Sequence, residues 1–146
     1  MGATIDIPTF AATQLTLLAA ELAAETATST TLLSQASPTT LSRLGLAILN
    51  LTIASQRTGL GGKTVLELEQ HSSIGGDGKI GEHDVGVGDI VKIAPQPKGS
   101  EKKREKASLE EKGVSGVVVR AGERGVQVAL DRDEVEEEGL GGRLWM

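Results

Sequence analysis

From Thr9 to about residue 34, apolar residues recur at helical intervals. Leu15, Leu18, Leu22 and Leu33 fall on one face, with the small residues Ser29 and Ala36 between and beyond them. The spacing predicts a long helix, capped by Thr9 just behind Pro8. Its middle, Glu25 to Thr31, is crowded with Thr and Ser, which form helices only moderately well. Glu21 and Glu25 are like charges one turn apart, so no internal ion pair supports that segment. Such a helix needs a partner along its leucine stripe, and the rest of the chain suggests none. Ser37-Pro38 then opens a short second helix over Pro38–Leu44, with Gly45 as its stop.

Beyond Gly45 the period shortens. Leu46 to Ala54 alternates in part, with Ile48 and Asn50 on one face and Leu49, Leu51 and Ile53 on the other. Thr58 to Gly62 is a Gly-rich turn, and Lys63 to Glu69 alternates with Leu66 and Leu68 inward. The two runs predict a hairpin. Residues 71–88 hold six glycines and no period, which marks a loop. Asp89 to Ile93 is a short strand that stops at Pro95 and Pro97. Lys98 to Lys112 is a charged excursion with a turn of helix near Glu105–Glu111. A second hairpin joins Ser115–Arg120 to Gly125–Leu130, and Arg143 to Met146 starts a last strand.

The expected fold is mainly β. A small closed or nearly closed antiparallel β-barrel of about five to six strands follows a long helix and a short one. Residues 1–36 and 37–146 form the two expected parts, with mobile loops at 71–88 and 95–113. The last strand breaks off at Trp145-Met146 with no polar tail, so the chain is expected to stop, at residue 146, short of its natural end.

Composition narrows the function classes. Apolar residues make up 38% of the chain, but its aromatics are only Phe10 and Trp145. Aliphatic side chains must therefore fill the core, and the stacking platform by which many barrels grip single strands is missing. A net charge of −5 argues against a protein that simply coats nucleic acid. With no cysteine there is no disulfide, thiol nucleophile or thiolate metal site. The N-terminus lacks the basic start and apolar run of a signal peptide, and Leu15–Ala24, broken by Thr16 and Glu21, reads as too short to span a bilayer. The expectation is an intracellular protein, in nucleus or cytoplasm, with no membrane partner.

The sharpest chemical lure is Gly59-Leu60-Gly61-Gly62-Lys63-Thr64, which mimics the end of a phosphate-binding loop. Val126 to Leu130, ending in Asp131, would then follow as its acidic strand. Arg57 stands where the pattern needs a glycine, five positions before Gly62. Thr64 to Glu69 alternates like a strand where a helix should begin, and Gln127 interrupts a strand that should be apolar on both faces. The run is read as a hairpin turn, with a small ATPase as a lesser alternative. His71 and His83 flank one loop without metal-ligand spacing and read as surface side chains. Asp77, Glu82 and Asp84 lack the alternation of a calcium loop. The acidic run Asp131 to Glu138 reads as a solvated turn, or as a surface for a basic partner in a protein-interaction barrel. No catalytic residue and no metal ligand is assigned. Lys98, Lys102, Lys103, Arg104 and Lys106 form the basic cluster, interleaved with Glu101 and Glu105. Its functional reading is contact with a phosphate backbone, salt-sensitive and indifferent to sequence.

Gly45-Leu46-Ala47-Ile48-Leu49-Asn50-Leu51, followed by Ser55-Gln56-Arg57-Thr58-Gly59-Leu60-Gly61-Gly62, closely resembles the start of the 1B subdomain in the immunoglobulin-mu-binding-protein-2 and yeast DNA helicase A family of superfamily-1B helicases. The likeness continues through Gly88–Val91, Gly116–Arg120, Val128–Asp131 and Gly142–Met146, while Phe10–Glu25 looks like the first half of the family's stalk and Lys98–Lys112 like a fungal insertion. Gly61 departs from relatives that often hold an aromatic there. The resemblance implies an accessory domain of an ATP-dependent 5′-to-3′ DNA and RNA helicase, set over the nucleic-acid channel. ATP and magnesium would belong to the parent protein and not to this chain. The implied partners are single-stranded DNA or RNA, a second stalk helix and a motor core encoded downstream; an unpaired stalk also leaves room for a homodimer. The candidate contacts are Gln56, Arg57 and Lys63 at the hairpin turn, with Lys98, Lys102, Lys103, Arg104 and Lys106; Leu15, Leu18, Leu22 and Leu33 are the candidate stalk-packing residues. Arg57 has a structural alternative, fixing the turn through carboxylates or carbonyls.

Overall fold

Residue Asp6, not Thr9, starts the first helix. In the computed structural model, which describes residues 4–131 and 140–146, helix α1 spans Ile7–Gln35. The Asp6 carboxylate accepts the Thr9 backbone N–H at 3.1 Å and also the Thr9 hydroxyl. Aspartate is the better cap, and Pro8 in the first turn has no N–H that would need one. Hydroxyls along the helix turn back on it: Thr13, Thr16, Thr28 and Thr31 each donate to the carbonyl four residues back at 2.9–3.0 Å. No residue of α1 is buried; Leu15, Leu18, Leu22 and Leu33 are 55–67% exposed. Phe10, Leu17 and Leu32 lie off that stripe and are also exposed, so the helix is less one-sided than its leucines suggest. With 29 residues and a mean hydropathy of 1.3 in its most apolar window, α1 is long and apolar enough to cross a membrane by length and composition. This corrects the shorter run read from Leu15–Ala24.

The chain divides into two compact units, Met1–Ser37 and Pro38–Met146. In the second, helix α2 covers Pro38–Arg43 and buries Leu41. Gly45 ends it at φ 77, where the Leu46 N–H closes back on the Leu41 carbonyl at 2.9 Å. The predicted strand from Leu46 begins only at Leu51. Asn50 sits in the left-handed region at φ 58 and interrupts the ladder. Its amide N–H donates to Gln96 Oε1 at 2.7 Å, the Gln96 amide returns a bond to Asn50 Oδ1 at 3.2 Å, and its carbonyl accepts the His71 N–H at 2.7 Å.

Six strands close the barrel among the described residues: β1 (Leu51–Thr58), β2 (Thr64–Gln70), β3 (Ile90–Pro95), β4 (Val114–Ala121), β5 (Gly125–Leu130) and β6 (Leu144–Trp145). Their order around the barrel is β1-β2-β5-β4-β3-β6, antiparallel throughout. Helix α3 (Lys103–Glu111) is longer than the single turn expected and lies between β3 and β4. Inward-facing aliphatics stack in layers across the register. Leu66 opposes Val128, which opposes Val118, and Leu68 opposes Val126; all are at most 1% exposed. No aromatic is needed to fill a barrel this narrow. Gly116 makes one close approach possible: a Cβ there would lie 2.5 Å from the Ala129 carbonyl oxygen and 2.7 Å from a Val128 methyl.

Two kinds of substitution separate the units. Leu66→Ala should destabilise the barrel by about 2–5 kcal/mol through lost burial and a residual cavity, and Gly116→Val by about 2 kcal/mol or more through overpacking. Leu18→Ala on α1 should change the same urea transition by less than about 0.5 kcal/mol, as an exposed side chain does.

Candidate nucleic-acid interface

Strand direction decides which candidates share a surface. Because neighbours alternate in direction around the closed barrel, the β1–β2, β3–β4 and β5–β6 connections all leave from one end. The β2–β3 and β4–β5 connections leave from the other. The turn that carries Lys63 and the insertion that carries Lys98, Lys102, Lys103, Arg104 and Lys106 therefore open at the same end. They remain separate connections, since β6 stands between β1 and β3 in the barrel order.

At the β1–β2 connection, Leu60–Gly62 forms a single 3-10 turn, and Lys63 returns to extended backbone at φ −71, ψ 140 before β2. The Gly59 N–H donates to the Lys63 carbonyl at 2.7 Å, and the Gly62 N–H to the Gly59 carbonyl at 3.2 Å. Gly61 and Gly62 both adopt φ 77. No helix follows, so these amides are not arrayed as a phosphate cradle, and the residues do not fit ATP or its magnesium. The turn is a hairpin turn. Arg57, on β1, reaches over β2 and donates from Nη2 to Gln127 Oε1 on β5 at 3.0 Å. The bond ties β1 to β5 across the barrel wall, with a side-chain amide as the acceptor, and does not hold the turn itself. Gln56 and Lys63 are exposed and make no side-chain hydrogen bond among the described residues.

In the insertion Glu101 and Glu105 hold backbone. The Glu101 carboxylate accepts the Lys98 N–H at 2.6 Å and the Gly99 N–H at 2.8 Å; Glu105 reaches back to the Lys102 N–H at 2.8 Å and closes the first turn of α3. The Lys98 N–H, foremost, holds the Glu101 carboxyl below the ordinary carboxylate range, with the Gly99 N–H and the Lys106 charge adding to it. The five basic side chains are left exposed. Among the described residues the ion pairs are Lys79 with Asp77 at 3.9 Å and with Glu123 at 3.6 Å, and none involves the basic cluster. From Lys98 to Lys112, six cationic side chains face four anionic ones, a surplus of two in a chain of net charge −5. Interleaved carboxylates thus shape the segment and lower its charge without capping any one cation.

The histidines are half-buried, not plain surface side chains. His71 Nδ1 accepts the Ser73 N–H at 3.1 Å and shares a bond with the Ser73 hydroxyl, which Arg143 also reaches at 3.0 Å. His83 Nδ1 is buried without a hydrogen-bond partner among the described residues, beside an open hollow of about 550 Å³ at the opposite end of the barrel. Among the described residues no three His, Asp or Glu side chains gather where a metal could bind. Of the acidic run, Asp131 is described and exposed, and residues 132–138 lie outside the described residues. Sequence reasoning missed the Asn50–Gln96 pair and the Arg57–Gln127 bond, both long-range, although the left-handed tolerance of asparagine was a usable signal at the first.

The sequence model for the helicase SMUBP-2/HCS1 1B domain matches residues 11–141. The chain belongs to this family. The match covers most of α1 and strands β1 to β5, and ends just before β6. A curated relative, the DNA polymerase alpha-associated DNA helicase A of Schizosaccharomyces pombe (strain 972 / ATCC 24843), is 36% identical over 94 residues. The aligned part is 64% of this chain and 14% of that protein, so the chain spans a small fraction of the relative's length.

The depressed carboxyl gives a pH test with a defined sign. A lowered folded-state value stabilises the segment above the ordinary 4.5 and is lost as pH falls through the lower folded value. The backbone amide signal of Lys98 should therefore titrate with a midpoint below 4.5, and Glu101→Gln should abolish that titration in an NMR series. ATP turnover by the chain should be undetectable, and Lys63→Ala should leave that baseline unchanged.

Proposed function

We propose that this chain is a non-catalytic accessory domain of an ATP-dependent 5′-to-3′ helicase, and that it guides a single strand of DNA or RNA past the motor. Membership of a helicase 1B family supports the setting, and the relative carries helicase in its name. The observation that carries the guiding role is the exposed basic cluster of the α3 insertion, unpaired among the described residues, at the barrel end that also presents Lys63. Such cations contact phosphates at any sequence, which suits a domain that must let a strand slide. Gln56 completes the candidate surface. Arg57, bonded to Gln127, serves chiefly to brace β1 against β5.

In the same reading the exposed leucines of α1 (Leu15, Leu18, Leu22 and Leu33) dock a second stalk helix supplied elsewhere in the parent, and without it they offer a dimer contact. ATP and magnesium bind the motor. The parent works inside the cell, in nucleus or cytoplasm.

Fluorescence anisotropy with labelled single-stranded oligonucleotides tests the proposal. The chain should bind DNA or RNA with an affinity that falls steeply between 50 and 200 mM salt, as expected for about two to four phosphate contacts. Charge reversal at Lys102, Lys103 and Arg104 together should weaken binding by about tenfold or more while the barrel's urea transition is unchanged. Equal binding by the reversed protein would remove the insertion from the interface.

A further inference from the structure

The basic insertion holds two exposed serine hydroxyls, at Ser100 and Ser108, that strand guiding leaves unused. Ser108 lies on α3 with Arg104 four residues before it and Lys112 four residues after. These spacings place both cations on its face of the helix, with Cβ atoms about 5–6 Å apart. Its hydroxyl makes no hydrogen bond among the described residues, while its carbonyl accepts the Lys112 N–H at 3.3 Å. Glu110 and Glu111 follow at the second and third positions. That is a pair of carboxylates by which a kinase with a basic substrate cleft can hold the segment. Ser100, the other serine of the insertion, is followed by Glu101, whose carboxylate is tied to the Lys98 and Gly99 backbone, and then by three cations. Ser108 is the better acceptor.

Kinases bind extended peptide, and α3 can supply it. The helix has nine residues and buries none of them, and its packing on the barrel is a small contact with β3, so it can open at low cost.

We propose that Ser108 is a phosphorylation site whose modification switches off the nucleic-acid contact of the insertion; this rests on the guiding role proposed above. The step transfers the γ-phosphoryl group of ATP: the bond from the γ-phosphorus to the bridging oxygen breaks, a bond from phosphorus to Ser108 Oγ forms, ADP leaves, and the hydroxyl proton passes to the kinase's base. A phosphoserine carries about −1.5 to −2 charge at pH 7. Added to a segment whose surplus is two positive charges, it brings the insertion close to neutral. It also recruits Arg104 and Lys112, so these cations turn from a bound strand to their own phosphate. Glu105 and Glu111, one turn away on either side, repel the new charge and loosen the last turn of α3.

The test has two arms on the 146-residue chain. In the first, an acidophilic Ser/Thr kinase and ATP are added and the phosphate is located by mass spectrometry. Incorporation at Ser108, lost in Ser108→Ala, is expected; no incorporation, or incorporation only elsewhere, overturns the site. In the second, the chain carrying phosphoserine at 108 is compared with the unmodified chain for binding to labelled oligo(dT) and oligo(U) across a salt series. About tenfold weaker binding and a salt slope shallower by about 1.4 are expected for the loss of two phosphate contacts. Unmodified chain that fails to bind overturns the guiding role and the switch with it. Binding that is present but indifferent to the phosphate overturns the switch alone.

Discussion

Closure of the barrel rests on a strand of two residues. Leu144 pairs with Leu51 on one side and with Pro95 on the other, Trp145 pairs with Ala94, and Met146 exchanges both backbone bonds with Ile48 at 2.9 and 3.0 Å. Without these contacts β1 and β3 would be open edges, each with unsatisfied backbone groups. Leu144 itself is fully buried and Met146 nearly so, which means that closing the ladder and completing the core are one event. The Asn50–Gln96 pair sits beside this seam and fastens the start of β1 to the end of β3 through the Asn50 backbone N–H and both side-chain amides. All else, from the layered aliphatic interior to the placement of the loops, presupposes that seam.

Within the β3–β4 connection, charges divide by role. Glu101 and Glu105 engage backbone N–H groups, and the cations are left to solvent. The chain can carry a net charge of −5 and still offer a local basic surface, because the effective unit is the segment and not the sum. Helix α1 shows a parallel economy. Five of its hydroxyls, on Thr13, Thr16, Thr28, Thr31 and Ser34, are satisfied by carbonyls of the same helix, which leaves an outer surface more apolar than its Thr and Ser content suggests.

Much of this was legible in the sequence. The alternation of Leu66 and Leu68, the second hairpin and the glycine stop at Gly45 all follow from local period and turn chemistry, and the structure places them as read. The hairpin nature of the Gly59–Lys63 turn was readable too, because Thr64 onward alternates like a strand. What failed was non-local. Leu46 to Ala54 looked like one strand, but Asn50 turns left-handed there to meet Gln96, a partner 46 residues away that no local pattern announces. The cap of α1 was misplaced by three residues because Thr9 and Asp6 are both good caps, and only backbone geometry chooses between them. At the candidate interface, composition found the cations, but strand order was needed to put Lys63 and the insertion at one end.

Placing the α3 segment between β3 and β4 has a consequence for how such a domain can diverge. Both strands are already locked to neighbours, β4 by its ladder with β5 and β3 by β6, so the segment between them is free to lengthen without disturbing the register of the wall. Each doubling of a connecting segment adds only about 0.6 kcal/mol of closure entropy. Reach and charge at that rim can therefore be retuned at small thermodynamic expense, whereas the two-residue seam tolerates almost no change.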